Sequence, residues 1–368
     1  MKKTVLSLAL LAGFYVCYAQ EDTAATKAKA SGVEVAGVKI TGSLDVYYRY
    51  NFANAIDAGG HPVTNDYTSF TNSQNAFELG MASLQATHSF GKASAFVDVG
   101  FGRRAEEFNY PDGNIGSGKN GYTTLAAIKQ LNVSYAISNK FKLTMGKWAT
   151  HIGYELIDAY LNRNYSMSYM FSYGPFSHTG LKADIGLGDK SALMVGVANP
   201  TDMATTLSAR KYAIAQFSTG TNDNKFKTYI NYQGSYGGSY SLTQFDLVLN
   251  GTLTDQFSIG YNGTVQSVKP KDDSANSWWG SALYLNFDPT STFGITLRGE
   301  YFDNKKQVAS APATSIFDVT LSPNFKVGNL TIIPELRLDA AREEVFVKHD
   351  GSPTKNTISG LLAATYHF

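Results

Sequence analysis

The chain has 368 residues, of which 43% are hydrophobic, 13% are aromatic and only 17% are charged. Its 31 basic and 30 acidic residues almost cancel, so the charge gives no reason to expect a nucleic-acid partner. The single cysteine excludes both a disulfide framework and a thiolate metal cluster. Low charge with many aromatic residues also excludes a disordered chain or a coiled coil.

The first residues predict export. Two lysines precede the uncharged stretch 4–20, and the small residue Ala19 stands just before acidic residues. A basic start, a short apolar core and a small residue at the cleavage point describe a secretory signal peptide. The stretch is short for a membrane-spanning helix of about 20 residues. We therefore expect cleavage of residues 1–19 after Ala19, followed by a flexible periplasmic leader over 20–37.

From Val38 onwards the hydrophobic pattern has a period of two. Between Val38 and Tyr50, mostly apolar side chains at even positions alternate with mostly polar ones, which indicates a strand with two different faces. This strand is longer than the five or six residues that are about usual in soluble sheets. The same alternation recurs in the segments 93–101, 131–137, 245–253, 257–266, 293–301, 317–327, 330–339 and 358–368.

Short and long connections alternate between these strands. Short turns on one side and long loops on the other are typical of an outer-membrane β-barrel. The sequence therefore predicts an all-β fold: a transmembrane antiparallel barrel over 38–368 with about 16 strands, short periplasmic turns and long extracellular loops. The turns are 91–92, 138–140, 188–190, 220–224, 254–256, 288–291 and 328–329; the loop-side connections are 52–76, 103–123, 149–180, 199–209, the short 237–239, 269–277, 303–314 and 341–356.

The aromatic residues at strand ends also fit a membrane barrel. Trp148, Trp278 and Trp279 are predicted to belong to an interfacial aromatic girdle. The last strand ends in a terminal aromatic residue and resembles the C-terminal strand of outer-membrane barrels, by which the barrel assembly machinery recognises its substrate. We therefore assign Tyr366 and Phe368 as the assembly signal, and expect the chain to lie among the outer-membrane lipids of a Gram-negative bacterium.

Alternating faces in a large barrel predict a pore. A closed barrel pairs every backbone group within hydrocarbon, and near 16 strands it encloses an aqueous channel. Passive diffusion of small polar solutes is the simplest function of such a lumen. The wall charges expected on the lumen face either pair with one another or sort solutes by charge. They are Lys39, Asp45, Arg49, Lys182, Asp184, Arg298, Glu300, Glu335, Arg337 and Asp339.

The longest connection, 149–180, is the third long loop. In porins of this size a long third loop folds inward and narrows the channel. We therefore expect the side chains of His151, Glu155, Asp158 and Arg163 to line a constriction, opposite wall charges such as Arg298 and Arg337. The segment 154–161 has the apolar spacing of a short helix. The alternative is a loop that caps the barrel from outside.

The segment 146–180 resembles a known family. A glycine-rich strand end is followed by a Gly-x-Glu motif, an Asn-Tyr-Ser motif and a His-Thr-Gly motif at 146–148, 153–155, 164–166 and 178–180. This combination resembles the OmpL-like family of outer-membrane β-barrel porins. The resemblance implies the barrel fold and brings no catalytic residue with it. Porins of this size are often trimers, so a homotrimer is one open possibility.

Two other classes of function stay open. A structural or adhesive barrel would bind external partners with its long loops and would have no open pore. A barrel hydrolase would need a Ser–His pair on its lipid face, for which His88 and His178 are the candidates, without a third group beside them. The six histidines lack metal-ligand spacing, and the glycine-rich segment 113–121 lacks the context of a phosphate-binding loop. We therefore expect no enzyme activity, no metal site and no cofactor.

Overall fold

The computed structural model describes residues 32–57, 59–110, 123–306 and 311–368. The predicted signal peptide, most of the leader and the segment 113–121 lie outside these residues. The first described element is the strand β1 (Val33–Val35), which pairs antiparallel with the next strand, with Val33 opposite Ile40. Strand pairing therefore begins inside the segment predicted to be leader.

Sixteen long antiparallel strands form a closed barrel, as the alternation predicted. Each strand pairs with its neighbours in sequence, and β19 pairs with β2, with Gly360 opposite Tyr50, which closes the barrel. The long strands are β2 (Val38–Asn51), β3 (Ala76–Phe90), β4 (Ala93–Phe101), β5 (Ile128–Ser138), β6 (Phe141–Ala149), β7 (Ser177–Gly186), β8 (Ala192–Ala198), β9 (Tyr212–Gly220), β10 (Phe226–Ser235), β11 (Tyr240–Thr252), β12 (Phe257–Pro270), β13 (Asn276–Phe287), β14 (Phe293–Asp303), β15 (Ser315–Val327), β16 (Leu330–Ala341) and β19 (Asn356–His367).

The remaining elements lie in the loops. The short strands β17 (Phe346–Val347) and β18 (Pro353–Thr354) form a hairpin between β16 and β19. The helices are α1 (Arg103–Phe108) and α2 (Tyr169–Tyr173), with single 3-10 turns at Thr123–Ala127 and Ala159–Leu161. In the described part of the chain, no helix has the length and apolar character that a membrane crossing requires.

The two faces of the strands differ as the sequence pattern indicates. On β11, Phe245 and Leu249 are exposed, whereas Gln244, Asp246 and Val248 are buried. In a membrane barrel, exposed apolar side chains on the outer surface face lipid, and the alternate residues face the lumen. The burial of polar side chains inside the barrel follows from loops that fold into it.

The aromatic girdle was predicted wrongly for two of its three tryptophans. Trp278 and Trp148 are only 1% and 3% exposed, whereas Trp279 is 44% exposed. Trp278 packs inside the barrel with Tyr284 and Phe302. At these strand ends the loops cover the lumen side, so an aromatic residue finds an apolar environment on either face. The parity of the strand, and not its end, decides which face a side chain takes.

Candidate functional site

The segment 150–176, here called the inner loop, lies inside the barrel. It joins β6 to β7 and is slightly shorter than the predicted 149–180 because β7 already begins at Ser177. Its side chains and backbone bond to lumen-facing residues of widely separated strands. These bonds are Tyr165 hydroxyl to Asp45 of β2 (2.5 Å), Lys129 of β5 to Asp158 (2.5 Å), Gly153 N–H to Asp246 of β11 (3.1 Å) and Arg298 of β14 to Glu155 (2.7 Å).

The helix predicted over 154–161 is not formed. Only a single 3-10 turn is present, at Ala159–Leu161, and the α-helical turns lie further on, in α2. The side chain of Asn162 hydrogen-bonds to both backbone groups of Leu156: it accepts from the N–H at 2.9 Å and donates to the carbonyl at 2.6 Å. Because side chains satisfy the backbone here, the loop does not need the internal bonds of a helix.

Two wall glutamates each hold two successive backbone N–H groups of the inner loop. Glu335 of β16 accepts from Tyr165 at 2.7 Å and from Ser166 at 3.1 Å. Glu300 of β14 accepts from the N–H groups of Tyr169 and Met170, at 2.7 and 2.8 Å. Hydrogen bonds from N–H groups to an ionised carboxylate are among the strong ones.

Two wall arginines hold the loop carbonyls between these N–H pairs. Arg298 donates to the carbonyl of Ser166 at 2.7 Å, and Arg337 donates to the carbonyl of Met167 at 2.7 Å. Both arginines also pair with Asp318 of β15, at 3.2 and 2.6 Å. The wall charges, for which the sequence left both mutual pairing and solute sorting open, bind the loop backbone and one another.

These lumen-facing charges form a continuous group, here called the charged arc. Its members on the wall are Asp45 and Arg49 of β2, Arg298 and Glu300 of β14, Asp318 of β15, and Glu335, Arg337 and Asp339 of β16. Every one of them is buried. Sequence reasoning missed Asp318, although it lies opposite Glu300 and Asp339 in the strand register.

The remaining predicted wall charges lie outside the charged arc. Lys182 and Asp184 lie two residues apart on β7, and Asp184 also pairs with Lys142 of β6 at 3.5 Å. Lys39 is exposed near the turn side of β2. Arg49 binds the loop 52–75, donating to the carbonyl of Thr64 at 2.9 Å and pairing with Asp66 at 3.4 Å. Eight of the predicted loop and wall charges make contacts at or beside the inner loop: Asp45, Glu155, Asp158, Arg298, Glu300, Glu335, Arg337 and Asp339.

The wall from β9 to β12 carries a ladder of amide side chains, here called the amide arc, which the sequence did not reveal. Gln233 and Gln266 both donate to the side-chain oxygen of Gln244, at 2.7 and 3.0 Å. Asn231 and Asn262 flank the single carboxylate of Asp246 and donate to it at 2.7 and 2.6 Å. The arc consists of Gln216 of β9, Asn231 and Gln233 of β10, Gln244 of β11, and Asn262 and Gln266 of β12.

Two buried histidines lie where the inner loop begins beside the amide arc: His151 in the loop and His178 on β7. His151 donates from Nε2 to the carbonyl of Tyr232 at 3.1 Å, and the ring of His178 lies 5.0 Å from that of His151. Burial lowers the pKa of His151 to about 4, so this side chain is neutral at neutral pH. His178 bonds to Thr150 inside the barrel, so it cannot form part of a hydrolytic pair on the lipid face.

One ion pair of the inner loop lies near the periplasmic turns. Arg163 donates to the carboxylate of Asp288, in the turn between β13 and β14, and Lys326 reaches the same carboxylate at 3.3 Å. Partial burial raises the pKa of Asp288, but Arg163 and Lys326 outweigh it and hold the pKa below its usual range. Among the described residues, no cluster of three or more histidine, cysteine or acidic side chains could hold a metal ion.

A closed antiparallel barrel whose third long loop crosses the lumen is the architecture of an outer-membrane porin. The sequence matches the family described as "Putative beta-barrel porin-2, OmpL-like" over residues 37–368. The chain belongs to this family of outer-membrane porins, as its motifs indicated.

Solved porin structures share the fold at low sequence identity. The anion-selective porin from Comamonas acidovorans is 12% identical, with a TM-score of 0.60 over 90% of this chain and 99% of that chain. The outer membrane channel DcaP of Acinetobacter baumannii is 11% identical, with a TM-score of 0.58 over 92% and 99%. OmpT of Vibrio cholerae is 9% identical, with a TM-score of 0.57 over 91% and 99%. No curated protein sequence matches the chain.

Proposed function

We propose that this porin lets small polar solutes diffuse through a narrow path around the inner loop, which acts as the constriction. The observation that supports this role is the bonding of the inner loop to wall strands on opposite sides of the lumen. In this proposal His151, Glu155 and Asp158 fix the position of the loop, since all three are buried. Arg163 is more exposed and supplies the charge that a passing ion meets.

The selectivity of the constriction is then set by the balance between Arg163, Asp288 and Lys326. Replacing Asp288 by asparagine leaves two cations without their carboxylate and increases the preference for anions. Arg163→Gln leaves Asp288 with Lys326 alone and shifts selectivity toward cations. Asp350→Asn, in an exposed loop, is the matched control and should leave selectivity unchanged.

The experiment is single-channel recording in planar bilayers with a salt gradient. We expect stable conductance steps from the folded protein and reversal potentials that move in opposite directions for Asp288→Asn and Arg163→Gln. Unchanged reversal potentials in folded variants would place these residues outside the ion path. Heat-modifiable mobility on gels reports that each barrel is folded.

The rival is a structural or adhesive barrel without an open pore. The observation that favours it is the tight packing of the lumen, where Arg298, Thr320 and Gln244 are each 0% exposed. Such a barrel would give no conductance steps while its long loops bound external partners. The bilayer recording therefore separates the two functions directly.

Export and assembly complete the proposal. Residues 1–19 act as a signal peptide cleaved after Ala19, and Tyr366 and Phe368 act as the signal for the barrel assembly machinery. A homotrimer in the outer-membrane lipid is supported by a similar structure, OmpT of Vibrio cholerae, which is described in a trimer form. Mass spectrometry of the mature N-terminus and of the intact assembly tests both points. A retained residue 1 or a monomer would contradict them.

A further inference from the structure

The part of the lumen between the inner loop and the periplasmic turns, here called the turn-side vestibule, is rich in basic side chains. Strand parity places five lysines on its wall, because each lies on the face of its strand that carries the buried lumen-facing residues. Arg163 of the inner loop adds a sixth cationic side chain near the turns. The five lysines are Lys39 of β2, Lys142 of β6, Lys182 of β7, Lys227 of β10 and Lys326 of β15.

Two carboxylates of the vestibule are each shared by two of these cations. Asp184 of β7 lies 3.5 Å from the amine of Lys142 and 3.7 Å from that of Lys182. Asp288 pairs in the same way with Arg163 and, at 3.3 Å, with Lys326. Since one carboxylate carries one negative charge, each of these clusters keeps an excess of one positive charge.

The remaining charges on this side of the barrel do not cancel the excess. Glu34 of β1 lies opposite Lys39 in the strand register, and the carboxylate of Phe368 lies beside the same strand. The turns themselves contain more basic than acidic residues. The basic ones are Lys92, Lys140, Lys190 and Lys225, and the acidic ones are Asp189, Asp223 and Asp255. Among the described residues, the turn side of the barrel is therefore positively charged.

The vestibule differs from the charged arc in its access to solvent. Every wall member of the charged arc is buried, and most bind the inner loop or one another. In the vestibule, the side chains of Lys142 and Lys326 are 19% and 35% exposed, and Lys39 is exposed as well. An ion in the aqueous lumen therefore meets the lysines of the vestibule and not the carboxylates of the arc.

Fixed positive charges around a narrow aqueous path raise the local concentration of anions and lower that of cations. The lysines belong to strands on several sides of the barrel, so an ion that crosses the vestibule passes between them and cannot avoid their field. We propose that the turn-side vestibule makes the channel selective for small anions. The proposal rests on the proposed porin function and names the class of solute that the pore favours.

Reversal potentials in planar bilayers under a potassium chloride gradient test the proposal. We expect chloride to permeate more readily than potassium. Replacing three vestibule lysines together should lower the chloride-to-potassium permeability ratio about three- to eightfold, since each unit charge about 10 Å from an ion changes that ratio about 1.5- to twofold after screening at about 0.1 M salt. The combined variant is Lys39→Gln, Lys142→Gln and Lys227→Gln.

Two further variants separate the position of the charge from its loss. The first removes the same number of charges from exposed lysines on the loop side and should keep the original ratio; it combines Lys211→Gln, Lys269→Gln and Lys348→Gln. The second keeps the charge in the vestibule and should also keep the ratio; it combines Lys39→Arg, Lys142→Arg and Lys227→Arg. Heat-modifiable mobility on gels reports that each barrel is folded.

Salt concentration gives an independent check. Raising the salt from about 0.1 to about 1 M shortens the Debye length from about 10 to about 3 Å, so most of the preference for chloride should disappear. A preference that persists at high salt would overturn the assignment to fixed charge.

The outcomes distinguish this proposal from the porin function. Conductance without a preference for chloride, an unchanged ratio in the folded vestibule variant, or an equal fall in the loop-side variant would overturn anion selection by the vestibule and leave the pore standing. A folded protein without conductance steps would overturn both.

Discussion

The charged arc and the amide arc hold different parts of the same loop by different means. On the charged arc, the side chains of Glu300, Glu335, Arg298 and Arg337 bind the loop backbone directly. On the amide arc, the side chains bind mainly one another, and they reach the loop through single bonds such as that from Gln216 to the carbonyl of His151, at 3.2 Å. One side of the loop is therefore anchored at many points, and the other side at few.

This difference teaches how a wide barrel can fix a loop that has no regular structure. A loop backbone in the lumen must find partners for its N–H and carbonyl groups. Carboxylates that accept two successive N–H groups, and arginines that donate to carbonyls, take the place of a neighbouring strand. The neutral ladder on the other wall carries few fixed charges, so a polar solute that passes there need not displace an ion pair.

The largest expected effect is the loss of a buried arginine from the charged arc. Arg298→Met leaves the carboxyl group of Glu155 buried without its cation and leaves Asp318 with Arg337 alone, so it should lower the free energy of unfolding by about 3–5 kcal/mol. Gln244→Met, the corresponding change on the amide arc, should cost about 1–3 kcal/mol. Urea unfolding followed by tryptophan fluorescence measures both. Equal midpoints for the two variants would remove the energetic distinction between the arcs.

Acid should weaken the attachment of the inner loop at His151. His151 has a pKa of about 4 in the folded protein and about 6.5 when released, so the released state binds more protons between these values. Above pH 6.5 His151 is neutral in both states, so its attachment has its full stability. As the pH falls toward 4, protonation of the released state weakens the attachment by about 3 kcal/mol. His178 lies beside the same ring, and the charge of Lys182 adds repulsion when His151 is protonated.

The contact of Asp66 with Arg49 should persist to lower pH. Burial raises the pKa of Asp66 in the loop 52–75, but Arg49 and Arg337 outweigh it and hold the pKa below 3.8. Its stabilising contact is therefore present at pH 4 and is lost only below that. Hydrogen exchange of the inner loop between pH 7 and 4 is the measurement, with His151→Gln as the control that removes the change. Hydrogen exchange in the loop 52–75 that rises at the same pH as exchange near His151 would contradict the expected order.

A smaller difference is expected for two hydroxyl groups. Tyr165→Phe removes a hydrogen bond to the carboxylate of Asp45, which should cost about 1.5–3 kcal/mol because the acceptor is charged. Tyr212→Phe removes a long, neutral bond to Tyr240 and should cost about 0.5–1.5 kcal/mol or less. Unfolding midpoints in one lipid decide the comparison. A larger loss for Tyr212→Phe would show that charge does not set the strength of attachment.

The smallest expected effect lies within the amide ladder. Gln233→Met removes its bond to Gln244 and leaves Gln244 bonded to Gln266 and Thr264. Since the partner keeps other bonds, the cost should be about 1 kcal/mol. Unfolding in urea provides the value, and a loss as large as that for Arg298→Met would mean that the ladder acts as one cooperative unit.

The strands could be predicted because their signals are local. Period-two alternation and compact turns are written in neighbouring residues, and the predicted segment 93–101 agrees with β4 to the residue. The position of the inner loop could also be anticipated from its length and its place in the order of loops. The absence of the helix expected over 154–161 could not be anticipated. There Asn162 and Arg104 bind backbone groups that a helix would otherwise pair internally.

The partners of the charges could not be read from the sequence because they depend on register. Asp318 contacts both Arg298 and Arg337 only because three neighbouring strands place these residues side by side. Lys129 pairs with Asp98 at a point where the register of β4 and β5 shifts by one residue. Strand parity alone therefore does not predict that the side chain of Lys129 faces the lumen. The contact between Tyr154 of the inner loop and Tyr284 of β13 likewise depends on how the loop crosses the lumen.

The seam of the barrel has a consequence for biosynthesis. Phe368 donates its N–H to the carbonyl of Gly42 at 2.9 Å and accepts from the N–H of Gly42 at 3.1 Å. The last strand of the barrel is therefore paired with the beginning of the first long strand. Until it arrives, both edges of the curved sheet stay open to pairing with other chains, as any unpaired edge is. A carrier that protects the nascent chain must therefore shield two sheet edges. A chain that is terminated before the last strand cannot close the barrel, so both of its edges stay unpaired.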